Sequence, residues 1–398
     1  MKCVFNLPFP NKKITFRQCF SYMFIVILKC YYSFRVSSFF RMVVLSLFLN
    51  SYFIMMEQLI EDKKISTFLK ILTDSRRIAV VPHVNPDGDA IGSSMALFRI
   101  LRNIGKNVDV VIPNDFPDFL NWIEDSDKVI NFNAERVKAE TIINKADLLF
   151  ILDFNNFERS GEMVEALKGH EGFSIMIDHH PLPVAPCDMV ISDTSQSSTC
   201  ELMFRVIADA GLNNYIDKSA AEAIFTGMMT DTGNFSYNAS SPDTYRIIAA
   251  LLEKGIDKDQ VHANVFHTFS ADRWRLIGHS LKEKMVIIPE MKTGYISLSK
   301  TELEQYNYES GDTEGLVNYP LMVKGIVFCV LFTEMDDFVK VSLRSKGSFS
   351  VNEFARAHFN GGGHDNAAGG KIDLKLVDAV KKFESLLPEY KEKLYASE

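Results

Sequence analysis

Eight side chains in this 398-residue sequence could ligate a divalent metal without a thiol: His83, Asp87, Asp89, Asp153, Asp178, His179, His180 and Asp231. Imidazole nitrogen and carboxylate oxygen suit an ion of the Mn, Mg or Fe kind, or less specifically Zn. Two ions sharing one site need about six to eight ligands, with one carboxylate bridging at a separation of roughly 3.5–4 Å. The set is large enough for two. Taken one at a time, each motif has a plainer reading. Asp89 of HVNPDGD could cap a helix beginning at Ala90, Asp153 could end a strand, Asp231 could start the turn DTGN, and His179 and His180 could be surface histidines. The segment GGGHDNAAGG, residues 361–370, adds an anion signal more than 100 residues later. Consecutive glycines let backbone N–H groups converge on an anion without Cβ interference, and His364 adds a side-chain donor. The combination is far less expected by chance than any one motif.

The elements that must position these groups follow from hydrophobic period. EQLIEDKKISTFLKIL reads as an amphipathic helix, RIAVVPH as a buried strand, AIGSSMALFRILRNIG as a helix ending at Gly105, and NVDVVIP as a strand. ADLLFILDF and GFSIMIDHH are apolar runs of strand length, each ending in acidic residues. Such βα alternation predicts an α/β fold, a mostly parallel sheet flanked by helices, whose ligands collect beyond the carboxyl ends of the strands. His83, Asp87, Asp153 and the group Asp178, His179, His180 all lie just past apolar runs, so strands distant in sequence would deliver them to one rim. A helical stretch from about Gln196 to Phe269 follows. The strand pairs KMVIIPEMKTGYISLS and VKGIVFCVLFTEMDDFVKVSLRS and a closing helix, LKLVDAVKKFESLLPEYKEKL, then predict a smaller α+β C-terminal domain. The expected domains are 57–255 with the metal site, a helical connector over 256–280, and 281–398 for substrate, with the active site in the cleft between.

The first 56 residues differ from the rest. They hold seven of the 43 basic residues, none of the 51 acidic ones and ten of the 31 Phe, so the remainder carries −15. The uncharged run MVVLSLFLNSYFIMM is shorter than the roughly 18–20 residues a spanning helix needs, and no small-residue cleavage site follows it. The expectation is an extension outside the fold, with a peripheral or spanning anchor as the alternative. The overall charge of −8 argues against a protein that coats long nucleic acid. The other cysteines, Cys187, Cys200 and Cys329, form no CxxC pair, and a reducing cytoplasm is the expected location.

With HVNPDGDAIGS, ILDFNN, IDHH and TDTGNF in that order, then SLRSKG and GGGHDNAAGG, residues 57 to 395 resemble the DHH phosphoesterase superfamily with its DHH-associated C-terminal domain. Within it they are most similar to the short oligoribonuclease and 3′-phosphoadenosine 5′-phosphate phosphatase group, the nanoRNase type. The resemblance implies one metal held by His83, Asp87 and Asp153 and a second by Asp89, Asp153, His179 and Asp231, with Asp153 as the bridge. It assigns catalysis to Asp89, Asp153, His179 and His180, a phosphate-facing role to His180, and support of the histidines to Asp178. Arg344, Gly362, Gly363 and His364 match positions that grip substrate phosphate. Asn360 stands where a further glycine is frequent.

The cofactors implied are two divalent ions, Mn2+ first and Mg2+ second, activating a water for in-line attack on phosphorus. The implied substrates are short single-stranded RNA or DNA oligonucleotides and phosphorylated adenosine nucleotides, with no duplex nucleic acid. A homodimer is a further assembly open to the chain. Alternatives of the same chemistry are a cyclic or linear dinucleotide phosphodiesterase, a RecJ-like exonuclease and a family II pyrophosphatase. A non-catalytic nucleotide sensor on the same fold is the alternative of another class.

Overall fold

Short all-apolar runs build the first half of the molecule. The computed structural model describes residues 56–309 and 311–397; the expectation for the leading segment falls outside them. After α1 (Asp62–Asp74) come β1 (Arg77–Val81), α2 (Gly88–Asn103), β2 (Asn107–Ile112), β3 (Ile130–Asn131), α3 (Arg136–Lys145), β4 (Leu148–Leu152), α4 (Val164–Lys168), β5 (Phe173–Asp178) and β6 (Met189–Ser192). The six strands pair in the order β3-β2-β1-β4-β5-β6, every pair parallel. Strands such as β4, LLFIL, are buried throughout because helices cover both faces of a parallel sheet. Ala79, Val81, Leu149, Ile151 and Met176 pack on one side with Ile143 of α3 and Leu167 of α4. On the other side Phe68 of α1 meets Phe150 of β4 edge to face, ring centroids 6.2 Å apart.

The chain reverses winding direction between β1 and β4, which are hydrogen-bonded neighbours from Ile78↔Leu148 to Val81↔Ile151. A crevice opens beyond the carboxyl ends of strands at such a switch point. Four helices follow: α5 (Thr199–Asp209), α6 (Lys218–Asp231), α7 (Pro242–Glu253) and α8 (Lys258–Phe266), then α9 (Ala271–His279). The predicted helical stretch is thus several helices, broken by the turns of residues 232–241.

The second sheet contains β7 (Met285–Ile288), β8 (Thr293–Leu298), β9 (Phe328–Glu334), β10 (Val339–Ser345), β11 (Gly362–Gly363) and β12 (Ala367–Ile372), in the order β11-β12-β10-β9-β8-β7. Its helices are α10 (Lys300–Gln305), α11 (Val351–His358) and α12 (Leu376–Tyr395). Only β8 and β9 pair in parallel; the other pairs are antiparallel. Phe328, Phe332, Phe354, Phe359 and Phe383 fill the core beneath α11 and α12. Leu276 and Ile277 of α9 pack on the opposite face with Ile296 and Leu331, so the second half of the connector is anchored to this sheet. No described helix is long and apolar enough to cross a membrane.

Candidate metal centre and phosphate cradle

The loop after β1 builds the first part of the site. Asp87 is the N-cap of α2, its Oδ1 accepting from the N–H groups of Asp89 (3.0 Å) and Ala90 (3.1 Å). Its Oδ2 stays available, 3.8 Å from His83 Nε2. Asp87, not Asp89, is therefore the cap, and the helix starts at Gly88. Asp89 instead crosses to α5, a partner 110 residues away, accepting from Thr199 N (2.6 Å) and Cys200 N (2.9 Å). Those amides are orphan donors of a helix N-terminus, where negative charge is stabilised. Ser198 caps the same helix through Glu201 N.

Asp153 leaves β4 with φ 66°, a left-handed conformation that a non-glycine residue adopts at a cost and that recurs at functional sites. The turn sets its carboxylate among three imidazoles. Oδ2 lies 3.3 Å from His83 Nε2, and Oδ1 lies 3.7 Å from His179 Nε2 and 3.6 Å from His180 Nδ1. Thr199 Oγ1 donates to Oδ1 at 2.9 Å. Asp231 is the last residue of α6, not part of a strand tip, and its Oδ2 is 3.4 Å from His179 Nε2. α6 comes this close because glycines line its contact with α2: a Cβ on Gly227 would stand 2.2 Å from Cys200 Sγ and 2.8 Å from Asp89 Oδ1.

The far nitrogens of the histidines are also held. His83 Nδ1 meets Val84 O at 2.8 Å and His179 Nδ1 meets Gln196 O at 3.3 Å, leaving each Nε2 for the cluster. Asp178 bonds His180 alone, through Nδ1 at 2.7 Å, and its buried Oδ2 has no partner. Among the described residues four groups of three have donor atoms all within 4.8 Å of one another: His83, Asp87 and Asp153; Asp89, His179 and Asp231; Asp153, Asp178 and His180; and His179, His180 and His364.

Asp89, Asp153 and His179 are 1–2% exposed, so charge here is costly unless compensated. Burial, with the charges of Asp153 and Asp231, pushes the Asp89 carboxyl well up. Burial likewise raises Asp231 to about 7, His179 opposing and Asp153 adding to it. His179 is raised to about 9: burial works against its proton, but Asp231, Asp89 and Asp153 outweigh burial. Burial would also raise Asp153, yet the hydrogen bond from His83 and the charges of His180 and His179 hold it low. The cluster is short of positive charge and keeps protons in its place. An oxygen- and imidazole-lined pocket of this kind fits divalent cations.

The second sheet brings His364 onto the site. Its ring stacks on His180, centroids 4.4 Å apart at 17°, and lies 4.7 Å from the His179 ring. Burial and then the charge of His179 lower its pKa to about 3. The glycines of the predicted cradle lie partly in a short edge strand, paired on one side. Gly362 and Gly363 form β11, paired with Gly369 and Ala368, and His364 N donates to Ala367 O at 2.7 Å. Asn360 has φ 45°, the left-handed region where glycine is favoured and asparagine tolerated. Arg344, on β10, bonds its own strand through Leu343 O.

Sequence reasoning passed over Thr199 and Arg159. The signal for the first was the cap pattern SSTCE. Arg159, in the turn after β4, adds positive charge near His83, Asp178, His180 and His364.

A doubly wound sheet with this rim cluster, joined to a second sheet domain whose histidine completes the rim, defines a two-domain α/β protein with a carboxylate- and imidazole-lined centre of the class that serves metal-assisted hydrolysis of phosphoesters. Residues 77–228 match the DHH family N-terminal domain and residues 292–393 match the DHHA1 domain. The chain belongs to the DHH family. It is 29% identical to the bifunctional oligoribonuclease and PAP phosphatase NrnA of Thermus thermophilus, over 80% of this chain and 90% of that one. The protein of the same name from Bacillus subtilis is 27% identical, over 73% and 87%. The crystal structure of an exopolyphosphatase-related protein from Bacteroides fragilis superposes with a TM-score of 0.82 at 42% identity, covering 85% of this chain and all of that one.

Proposed function

We propose that this hydrolase cleaves short single-stranded oligonucleotides to mononucleotides and converts 3′-phosphoadenosine 5′-phosphate to AMP. The observation that carries the reading is the stack of His364 on His180. The stack sets the loop of residues 361–370 against the carboxylate cluster, and a phosphate gripped by that loop would be a near neighbour of the phosphate that reacts. That spacing suits the end of a short strand or a bisphosphorylated nucleotide, and the names of the two relatives above point the same way.

His83, Asp87 and Asp153 would hold one divalent cation, and Asp89, Asp153, His179 and Asp231 a second. Such cations supply Lewis-acid charge at the phosphoryl oxygens and acidify water. Asp153 offers its two oxygens to opposite halves of the cluster. Thr199 and the amides of α5 keep Asp153 and Asp89 from turning away. His180 has Nδ1 occupied by Asp178, so Nε2 is the atom it presents to a phosphoryl oxygen or to water. His364 and Arg344 hold the non-reacting phosphate, Arg344 with the guanidinium N–H groups it does not spend on Leu343.

Purified chain supplied with Mn2+ is tested on a labelled RNA dinucleotide, 3′-phosphoadenosine 5′-phosphate, a cyclic dinucleotide and pyrophosphate. Release of mononucleotide from the first and AMP from the second is expected. Turnover confined to the cyclic dinucleotide would assign the chain to the phosphodiesterase alternative, and binding without any turnover would make it a sensor.

A further inference from the structure

A cleft of about 740 Å³ is walled by the loop after β2, the end of α8, the start of α9, and Asp312 from the second sheet's domain. Three half-buried aromatic rings line it, Phe116, Phe119 and Phe269, together with Trp122. Phe119 and Phe269 stand edge to face at 6.3 Å, and the guanidinium of Arg273 lies 3.4 Å over the Phe269 ring. Two donors in this wall are buried without an acceptor: Trp122 Nε1 and Arg273 Nε, the latter on a residue only 6% exposed. A buried donor left unmade is costly, and an acceptor brought by a ligand relieves it.

The charge of the cleft says what that ligand is not. Asp115, Asp118, Glu309 and Asp312 outnumber Arg273, so a phosphate is repelled. A flat ring with its own acceptors for the indole and guanidinium N–H, and amino donors for the carboxylates, fits both aspects. The cleft also has a fixed place relative to the chemistry. Asn114 in its wall exchanges hydrogen bonds with Asn85 of the His83–Asp87 loop, at 2.7 and 3.1 Å. The wall of the cleft is therefore tied to the loop that carries His83, which faces Asp153 Oδ2, whereas His180 faces Oδ1 and His364 stacks on His180.

We propose that this cleft binds a nucleobase: the base of the nucleotide on the far side of the scissile phosphate from the His364 loop. The site rests on the oligonucleotide reading above. 3′-Phosphoadenosine 5′-phosphate has no nucleotide on that side, so it leaves the cleft empty, whereas a dinucleotide fills it.

Trp122→Ala and Phe119→Ala test this by a split between substrates. Loss of one stacking partner raises KM for an adenosine dinucleotide about tenfold, while KM for 3′-phosphoadenosine 5′-phosphate moves less than twofold. Equal losses on both substrates would overturn the proposal, as would none on the dinucleotide. A binding measurement covers variants that fold poorly. The chain has two Trp, and Trp274→Phe leaves Trp122 as the sole tryptophan emitter, read with excitation that selects indole over the 13 Tyr. An uncleavable phosphonate-linked dinucleotide then shifts or quenches the emission and free 3′-phosphoadenosine 5′-phosphate does not; identical responses, or none, would overturn the site. Turnover of both substrates by the natural sequence, with dinucleotide KM unchanged in Trp122→Ala, removes this cleft alone. One that cleaves neither substrate removes the proposed function and the cleft together.

Discussion

Asp153 illustrates how much one side chain is asked to do. Its two oxygens face different imidazoles, its backbone turns left-handed to bring them there, and Thr199 donates the hydrogen bond that fixes the carboxylate. Groups that orient metal ligands typically govern affinity by about 10- to 100-fold. Thr199→Val therefore weakens Mn2+ binding by about that factor with the fold intact, as read by metal titration; unchanged affinity would make the hydroxyl incidental. His364→Ala acts differently, since the proposed function puts His364 on substrate phosphate rather than on metal. It raises KM for dinucleotides and leaves metal content unchanged. The ligand-type residues were legible because histidine and aspartate just beyond apolar runs declare themselves by chemistry. Thr199 was not, because a hydroxyl acquires this task only when a helix 46 residues along the chain docks against the strand tip.

Between elements, the decisive contact is the one that brings α6 against α2. Gly227 leaves room for Cys200 and Asp89, and any Cβ there must push on one of them. Gly227→Ala should cost about 1–3 kcal/mol of stability, the usual range for overpacking, read as a lowered denaturant midpoint, and should disturb the Asp89 and Asp231 side of the proposed metal site first. The parallel strands and their exit edge could be read from hydrophobic runs alone. What could not be read was local geometry that tertiary contacts decide. Asp87 took the capping role offered to Asp89 because Asp89 found the amides of α5. Asp231 arrives from a helix terminus, and the glycine run became a paired strand because β12 lies alongside it.

Across the described residues, two domains meet at a ring stack over a buried cluster short of positive charge. That has a consequence for stability. His179 is raised to about 9 in the folded chain against an ordinary value of about 6.5. The stability it contributes is complete below pH 6.5 and is lost as the pH rises through 9. Asp178 and Asp231, raised to about 7, lose their contributions at lower pH in the same direction. Metal-free chain is thus expected to show a falling denaturant midpoint from pH 7 to 9, and saturating Mn2+ to abolish the fall, because ligation takes neutral imidazole. A midpoint that is level or rises without metal would contradict this charge balance. The most direct measurement is the Mn2+ content of dialysed full-length chain by mass spectrometry, natural sequence beside Asp153→Asn, with dinucleotide hydrolysis assayed on the same samples. Two ions per chain falling to one or none, with hydrolysis lost, is the result expected. Two ions retained with undiminished turnover in Asp153→Asn, or no ion bound by the natural sequence, would contradict a shared two-metal centre at these strand and helix ends.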